Sequence, residues 1–229
     1  MSGADTRRDE GAGAARPQQV WDWPIRMFHW ILVLSVITLF VTGKIGGNWL
    51  EWHRRAGFLV LGLVMFRVIW GFVGGYHARF ANFVRGPKAI MAYLRGTQKE
   101  GAGHNPLGAL SVLAMLAVIG FQAGSGLFAN DDVMLEGPYA AMVGKDLSDW
   151  LTKLHKINSF VILGLVALHV AAIAYYFFRK HNNLVWPMVI GNKVTSDELP
   201  QHPRPAWLAP CIIALVAAAV YMLVYRLPH

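Results

Sequence analysis

Five long apolar segments constrain the fold more than any other feature of this sequence. Each is close to the roughly 20 residues that an α-helix needs to cross about 30 Å of hydrocarbon. Backbone groups in lipid must bond one another, and the segments are too long and too free of alternation for a barrel, so we predict transmembrane helices. The expected spans are about 27–45, 53–75, 107–129, 150–178 and 207–229.

Composition agrees with an all-α integral membrane protein. Of the 229 residues, 55% are hydrophobic and only 15% are charged, which is too apolar for an ordinary soluble domain. The net charge of +8 falls between the apolar spans, so it indicates membrane loops rather than a surface for nucleic acid. We expect a disordered tail at 1–20, a four-helix unit at 21–193, a linker at 194–206 and a fifth helix at 207–229.

Lysine and arginine predict the orientation in the membrane. They concentrate before the first span, between the second and third spans, and after the fourth span. Cytoplasmic loops carry this excess, so the N-terminus is expected in the cytoplasm and the C-terminus in the periplasm. The acidic loop between the third and fourth spans is expected outside. Three cations on the outer side depart from the pattern: Lys44, Arg54 and Arg55.

Histidine is the residue on which a metal site in this chain must depend, because there is a single cysteine, Cys211. In the fourth span, His155 and His169 are 14 residues apart, which on a helix is about 40° short of four turns and about 21 Å of rise. They therefore share a face at two depths. Other spans offer partners at those depths, with His29 at the level of His169 and His53 at the level of His155.

Two pairs of imidazoles at two depths fit two bis-histidine haems. Zinc needs four compact ligands or an open water position, and copper sites usually add sulfur. We therefore predict two haems with the axial pairs His29/His169 and His53/His155. This ligation leaves no open position on iron, so electron transfer is favoured over an enzyme with its own substrate at the haem.

Three arginines are candidate partners of the haem propionates. Arg67 lies 14 residues after His53, on the same face and near the inner level, where an arginine in lipid is expensive without an anion. Arg54 and Arg55 flank the outer ligand. For each arginine the alternative is a solvated or snorkelling side chain.

The other five histidines are expected at the surface. Two of them, His104 and His181, are also candidates for proton exchange at a quinone site. The full set is His77, His104, His181, His202 and His229.

Four stretches of the sequence resemble a known family over about Val20 to Lys193. They are VWDWPIRMFHW, EWHRRAGFLVLGLVMFRVIWGFVGG with the following ARFANF, GHNPLGALSVLAMLAVIGFQAGSGLF, and LHKINSFVILGLVALHVAAIAYYFFRKHNNLVWPMVIGNK. The resemblance is to the bacterial cytochrome b561 and nickel-iron hydrogenase b-type cytochrome family.

The resemblance implies a four-helix core in the bacterial inner membrane that holds two b haems. Their axial ligands would be His29, His53, His155 and His169. It also implies electron exchange between the quinone pool and a partner redox protein, such as a hydrogenase or a periplasmic c-type cytochrome. The fifth span is absent from a minimal four-helix member, so the arrangement of the partner stays open.

Two other functions stay open. One is a stand-alone quinone-linked oxidoreductase of the superoxide oxidase type, although the acidic outer loop at 131–149 would repel an anion and favours a basic partner. The other is a haem-free membrane anchor or a proton-coupled transporter. A transporter would be expected to show broken helices in matched halves, and none stands out.

Overall fold

Five long apolar helices dominate the computed structural model, which describes residues 15–97, 103–133, 135–196, 198–200 and 202–228. Each of the five is long and apolar enough to cross a membrane, so the predicted all-α membrane fold is confirmed. In chain order the elements are β1 (Arg16–Gln19), α1 (Trp23–Ile45), α2 (Leu50–Val73), α3 (Phe80–Phe83), α4 (Pro87–Leu94), α5 (Pro106–Gly126), α6 (Ala140–Val143), α7 (Lys145–Arg179), α8 (Val185–Ile190), β2 (Asn192–Thr195) and α9 (Leu208–Tyr225).

Local signals set where several helices begin. The Asp22 carboxylate accepts from the backbone N–H of Ile25 at 3.0 Å and caps α1. The Asn105 side chain accepts from the N–H of Gly108 at 2.7 Å and caps α5. Proline occupies the first turn of α1, α4 and α5, where its missing N–H has no partner to lose.

Helix α2 is the central helix of the bundle. It packs against α1, α5 and α9, while α5 also packs against α7. The fifth helix lies on α2 at Gly62, where an added Cβ would be 3.6 Å from the Val220 side chain. The Tyr139 hydroxyl donates to the Leu223 carbonyl at 2.7 Å, which ties the outer loop to the end of α9. The fifth helix is thus part of the packed bundle.

A two-stranded antiparallel sheet closes one end of the bundle. Its register pairs Arg16 with Thr195 and Gln19 with Asn192. The next residue, Val20, is buried, and its N–H donates to the Gly191 carbonyl at 2.9 Å. Residues 16–20 therefore differ from the disordered tail expected for 1–20, and residues 1–14 lie outside the described part of the chain.

The physical reason is that β1 is a short polar strand that exists only because β2 pairs with it. Strand formation depends on context more than on intrinsic preference, and this partner is far away in sequence. Strand β2 also spans residues 193 and 194, where we expected the four-helix unit to end and the linker to begin. We call the end with β1 and β2 the inner end and the opposite end the outer end, after the predicted orientation.

Candidate functional site

The four predicted histidines meet as two pairs. The ring centres of His29 and His169 are 6.5 Å apart, and those of His53 and His155 are 6.2 Å apart. All four side chains are half-buried. Helix α7 supplies one ring to each pair, while α1 and α2 supply the opposite rings.

The spacing within each pair suits a metal held by two opposed imidazoles. A bound nitrogen lies about 2 Å from its metal, so an ion between two opposed rings places their centres about 6 Å apart. Within the described residues, no third His, Cys, Asp or Glu joins a pair to form a group that could hold an ion by protein ligands alone. Two opposed imidazoles are the donor set of a bis-histidine haem.

The helices that supply opposed histidines make little backbone contact with one another. The long helices in most extensive contact are instead α1 with α2 and α5 with α7. The α7 histidines therefore face α1 and α2 across helix pairs that are not closely packed. A planar macrocycle between the rings requires this arrangement, and the donor set and the helix spacing both fit a haem.

Hydrogen bonds orient both histidines of the outer pair. The Nδ1–H of His53 donates to the Leu39 carbonyl at 2.9 Å, and the Nδ1–H of His155 donates to the Gln122 carbonyl at 3.0 Å. Because a carbonyl only accepts, each Nδ1 must carry the proton, which leaves the unprotonated Nε2 free to bind a metal.

A hydroxyl and a glycine complete the contact of His53 with α1. The Thr42 Oγ1 atom lies 3.5 Å from the His53 Nδ1 atom. At Gly43, an added Cβ would be 3.1 Å from the His53 ring, which is tighter than an ordinary contact. The glycine therefore lets the imidazole approach the α1 carbonyl of Leu39.

The contact of His155 with α5 has the same construction. The Ser125 Oγ atom lies 3.2 Å from the His155 Nδ1 atom, and an added Cβ at Gly126 would be 3.1 Å from the ring. The Asn158 side chain donates to the Gln122 side-chain oxygen at 2.7 Å, close to the carbonyl that holds His155. We call Thr42-Gly43 and Ser125-Gly126 the hydroxyl-glycine steps.

The sequence analysis missed both hydroxyl-glycine steps. An available signal was their repetition, since a hydroxyl residue followed by glycine occurs near the outer end of the first span and of the third span. Nothing local shows that the dipeptide faces a histidine of another helix. Only the packing of α1 on α2 and of α5 on α7 brings the partners together.

In the inner pair, no backbone carbonyl of the described residues accepts a hydrogen bond from His29. Its Nδ1 atom is enclosed and has no hydrogen-bond partner among the described residues. The ring instead contacts Trp30 edge to face, with 5.0 Å between ring centres. The two pairs therefore differ in how the protein orients their ligands.

Two histidines expected at the surface lie against the inner end instead. The His104 ring packs between Trp21 and Phe83, each with its ring centre 4.7 Å away. Burial, with smaller contributions from the charges of Arg67, His77 and His169, lowers the pKa of His104 to about 3. Burial also lowers the pKa of His77, against the opposite effect of the Asp22 carboxylate. Both imidazoles are therefore neutral at physiological pH.

The surface expectation for His77 and His104 was wrong because it used local polarity alone. His104 is covered by Trp21 and Phe83, and His77 lies against Gly103, so in both cases the contacting residues come from other parts of the chain. His202 is exposed and packs on Tyr76, while His181 is exposed after α7. His229 lies outside the described residues.

The three arginines occupy different surroundings. Arg67 is buried, with 3% of its surface exposed, and its guanidinium lies over the Phe80 ring at 4.9 Å. Arg54 and Arg55 both bond the Glu51 carboxylate, with nitrogen-oxygen distances of 2.9 and 2.7 Å. Arg54 and Arg55 are two of the three outer-end cations that depart from the expected charge pattern, and the Glu51 carboxylate offsets part of their charge.

Comparison with known proteins now identifies the family. The family model described as prokaryotic cytochrome b561 matches residues 20–191, which is most of the chain. The chain belongs to the prokaryotic cytochrome b561 family. The predicted resemblance is confirmed, and the protein is a multi-pass membrane cytochrome of the b type that binds haem b and takes part in electron transfer.

The chain matches curated relatives over most of its own length and nearly all of theirs. A protein of Azotobacter chroococcum mcd 1, named a probable Ni/Fe-hydrogenase B-type cytochrome subunit, is 25% identical over 221 residues, covering 79% of this chain and 90% of the relative. Proteins of the same name are 25% identical in Azotobacter vinelandii, over 79% of this chain and 90% of theirs, and in Rhizobium leguminosarum bv. viciae, over 78% and 89%. No solved structure matches this chain.

An alanine at Gly126 should lower the haem content of the protein. The added methyl group would press on the His155 ring at 3.1 Å and displace it from the Gln122 carbonyl. The measurement is haem b per polypeptide, from the pyridine haemochrome spectrum of purified Gly126→Ala protein.

Gly120→Ala is the matched control on the same helix. Its added Cβ would lie at an ordinary 3.6 Å from Val64, so haem content should stay at the level of the unmodified protein. Equal haem content in the two variants would show that Gly126 has no part in seating the ligand.

Proposed function

We propose that the chain holds two b haems, one between His29 and His169 and the other between His53 and His155, and relays single electrons between them across the membrane. One observation carries this proposal: the two opposed pairs of imidazoles share one helix at two depths. The 14 residues between His155 and His169 correspond to about 21 Å along the axis of α7.

The chain's own residues bind, orient and shield the haems, which supply one-electron chemistry when bound. The Leu39 and Gln122 carbonyls hold the outer imidazoles with Nε2 free. Donation from Nδ1–H also makes a ligand more basic. Apolar residues of α2, α5 and α7 pack between the two levels, with a buried cluster of Val60, Ile119 and Ile162.

The arginine assignments remain part of the proposal. Arg67 is the partner proposed for an inner haem propionate, since it is buried at the inner end. Arg54 and Arg55 are proposed to face the outer haem propionates, where they would share their charge with Glu51.

Single substitutions test the pairing. His29→Ala and His169→Ala should each remove one and the same haem, because a haem that loses one axial ligand is held by the other alone. His53→Ala and His155→Ala should remove the other haem. Reduced-minus-oxidised spectra with redox titration distinguish the two haems. His202→Ala is the control, since this ring is exposed and lies outside both pairs.

A different result would overturn the assignment. Equal loss of both haems in every variant, or loss of the same haem in His29→Ala and His53→Ala, contradicts the pairing by depth. Absence of b-type bands from the unmodified protein contradicts haem binding and favours an anchor or a transporter.

For the partners, we infer quinone within the membrane and a redox protein at the outer end, of which a nickel-iron hydrogenase is the first candidate and a c-type cytochrome the second. The names of the relatives support a hydrogenase. The outer loop carries the acidic residues expected for docking a basic surface. Lys145 pairs with Asp132 and Asp149, and Glu136 and Asp146 are exposed there.

Electron donors distinguish the subunit from the stand-alone oxidoreductase. In proteoliposomes of the purified chain, hydrogen together with nickel-iron hydrogenase should reduce the haems, and a short-chain quinone should reoxidise them. The measurement is the absorbance of the reduced b bands, with hydrogenase omitted as the control. Rapid reduction by superoxide, with none by hydrogenase, would favour the superoxide oxidase type.

We propose a bacterial inner-membrane location with the N-terminus in the cytoplasm and the C-terminus in the periplasm. The five spanning helices and the basic segments at the inner end support it. Alkaline phosphatase, which is active only outside the cytoplasm, should be active when fused after His229 and inactive when fused before Met1. The reverse activities would invert the topology.

A further inference from the structure

Buried nitrogen atoms without hydrogen-bond partners are concentrated at the inner end. A buried polar atom without a hydrogen-bond partner destabilises the fold, and a charged one does so more strongly. Six such side-chain atoms occur among the described residues, and all six belong to the inner half of α1 or α2 or to the segments between α2 and α5. They are Arg26 Nε, His29 Nδ1, Arg67 Nη1, His77 Nε2, Arg79 Nε and His104 Nδ1.

Aromatic contacts bring two of these side chains together. The Arg67 guanidinium lies over the rings of Phe80 and Phe83, at 4.9 and 6.0 Å from their centres. The Phe83 ring also packs against His104, with 4.7 Å between ring centres. Arg67 and His104 are thus neighbours on one aromatic surface.

Two further side chains come from the segment that follows α2. The backbone before His104 lies directly on His77, since an added Cβ at Gly103 would be 3.1 Å from the His77 Nδ1 atom. Arg79 immediately precedes the short helix α3, whose Phe80 ring lies under Arg67. Three separate parts of the chain therefore contribute nitrogen atoms to the same region.

The region has an excess of positive charge. Its nearby acid is Asp22, whose carboxylate already caps α1 and accepts from the Trp70 indole at 3.0 Å. His77 and His104 are neutral, so they add donors without adding charge. Arg67 and Arg79 carry two positive charges against the single negative charge of Asp22, so the region keeps a net positive charge that favours carboxylates.

We propose that Arg67, Arg79, His77 and His104 form a binding site for the two carboxylates of the haem held between His29 and His169. The inference rests on the proposed function and extends it, because three of the four residues have no role there. Phe28, next to His29, and Phe66, next to Arg67, pack in one buried cluster with Trp21, which contacts the His104 ring, so this region adjoins the inner histidine pair.

The outer end has a different character. Its cations Arg54 and Arg55 both bond Glu51, and the Arg55 side chain is 59% exposed. Among the described residues of the outer end, every buried side-chain nitrogen or oxygen atom has a hydrogen-bond partner. Haem binding there should depend less on carboxylates and more on the imidazoles and their carbonyl partners.

Haem dimethyl ester, in which both carboxylates are blocked, is the probe that tests this difference. The full-length chain is produced in a haem-deficient host and titrated in detergent, with Soret absorbance as the readout. His53→Ala protein reports the inner site alone, and His29→Ala protein reports the outer site alone. We expect the ester to bind at least tenfold more weakly than haem at the inner site, with a much smaller difference at the outer site.

Substitutions connect that preference to the named residues. Arg67→Gln in the His53→Ala background should reduce the preference for haem over the ester, because one cation that would meet a carboxylate is gone. Arg79→Gln should do the same and serves as the second variant if Arg67→Gln does not fold. Arg85→Gln in the same background is the matched control, because Arg85 is exposed between α3 and α4 and should leave the inner preference unchanged.

The outcomes separate this inference from the proposed function. Equal binding of haem and ester to the His53→Ala protein overturns the carboxylate site and leaves haem binding intact. A preference for haem that survives both Arg67→Gln and Arg79→Gln overturns the assignment of the residues. Failure of the His53→Ala protein to bind haem at all overturns the proposed function itself.

Discussion

The two histidines of α7 must each meet a histidine from another helix, and the rest of the bundle is arranged around that requirement. A planar macrocycle between opposed rings needs room between the helices that carry them. The close packing is therefore made elsewhere, between α1 and α2 and between α5 and α7. Two tight helix pairs face each other across the imidazoles, which is the arrangement that a pair of haems needs.

The same two tight helix pairs also orient the outer ligands. In each, one helix offers a carbonyl and a glycine, and its neighbour inserts a histidine against them. The inner pair has no such acceptor for the His29 Nδ1 atom within the described residues, and its surroundings are rich in unpaired nitrogen atoms. The two histidine pairs thus have different surroundings, with hydrogen-bonded imidazoles at the outer pair and unpaired nitrogen atoms near the inner pair. If each pair holds a haem, as proposed, this difference suits a directional relay.

Elements outside the four-helix core enclose the inner end. The strand pair places Val20 and Trp21 in the buried cluster that also includes Phe66, Trp70 and Ala209. Trp21 then covers His104, so a strand that had no signal in the sequence determines the environment of a residue beside the inner site. The fifth helix contributes to the same cluster through Ala209, Ile212 and Val216. It therefore supports the haem core as well as crossing the membrane.

The sequence by itself determined the five spans, because membrane crossing depends on local hydrophobicity that can be counted along the chain. It also led to the pairing of His29 with His169 and of His53 with His155, because helical rise converts residue spacing into depth. Only the tertiary structure decided what surrounds those rings. The hydroxyl-glycine steps, the burial of His104 and the pairing of β1 with β2 each join residues far apart in sequence. Such contacts follow from packing, which local pattern does not specify.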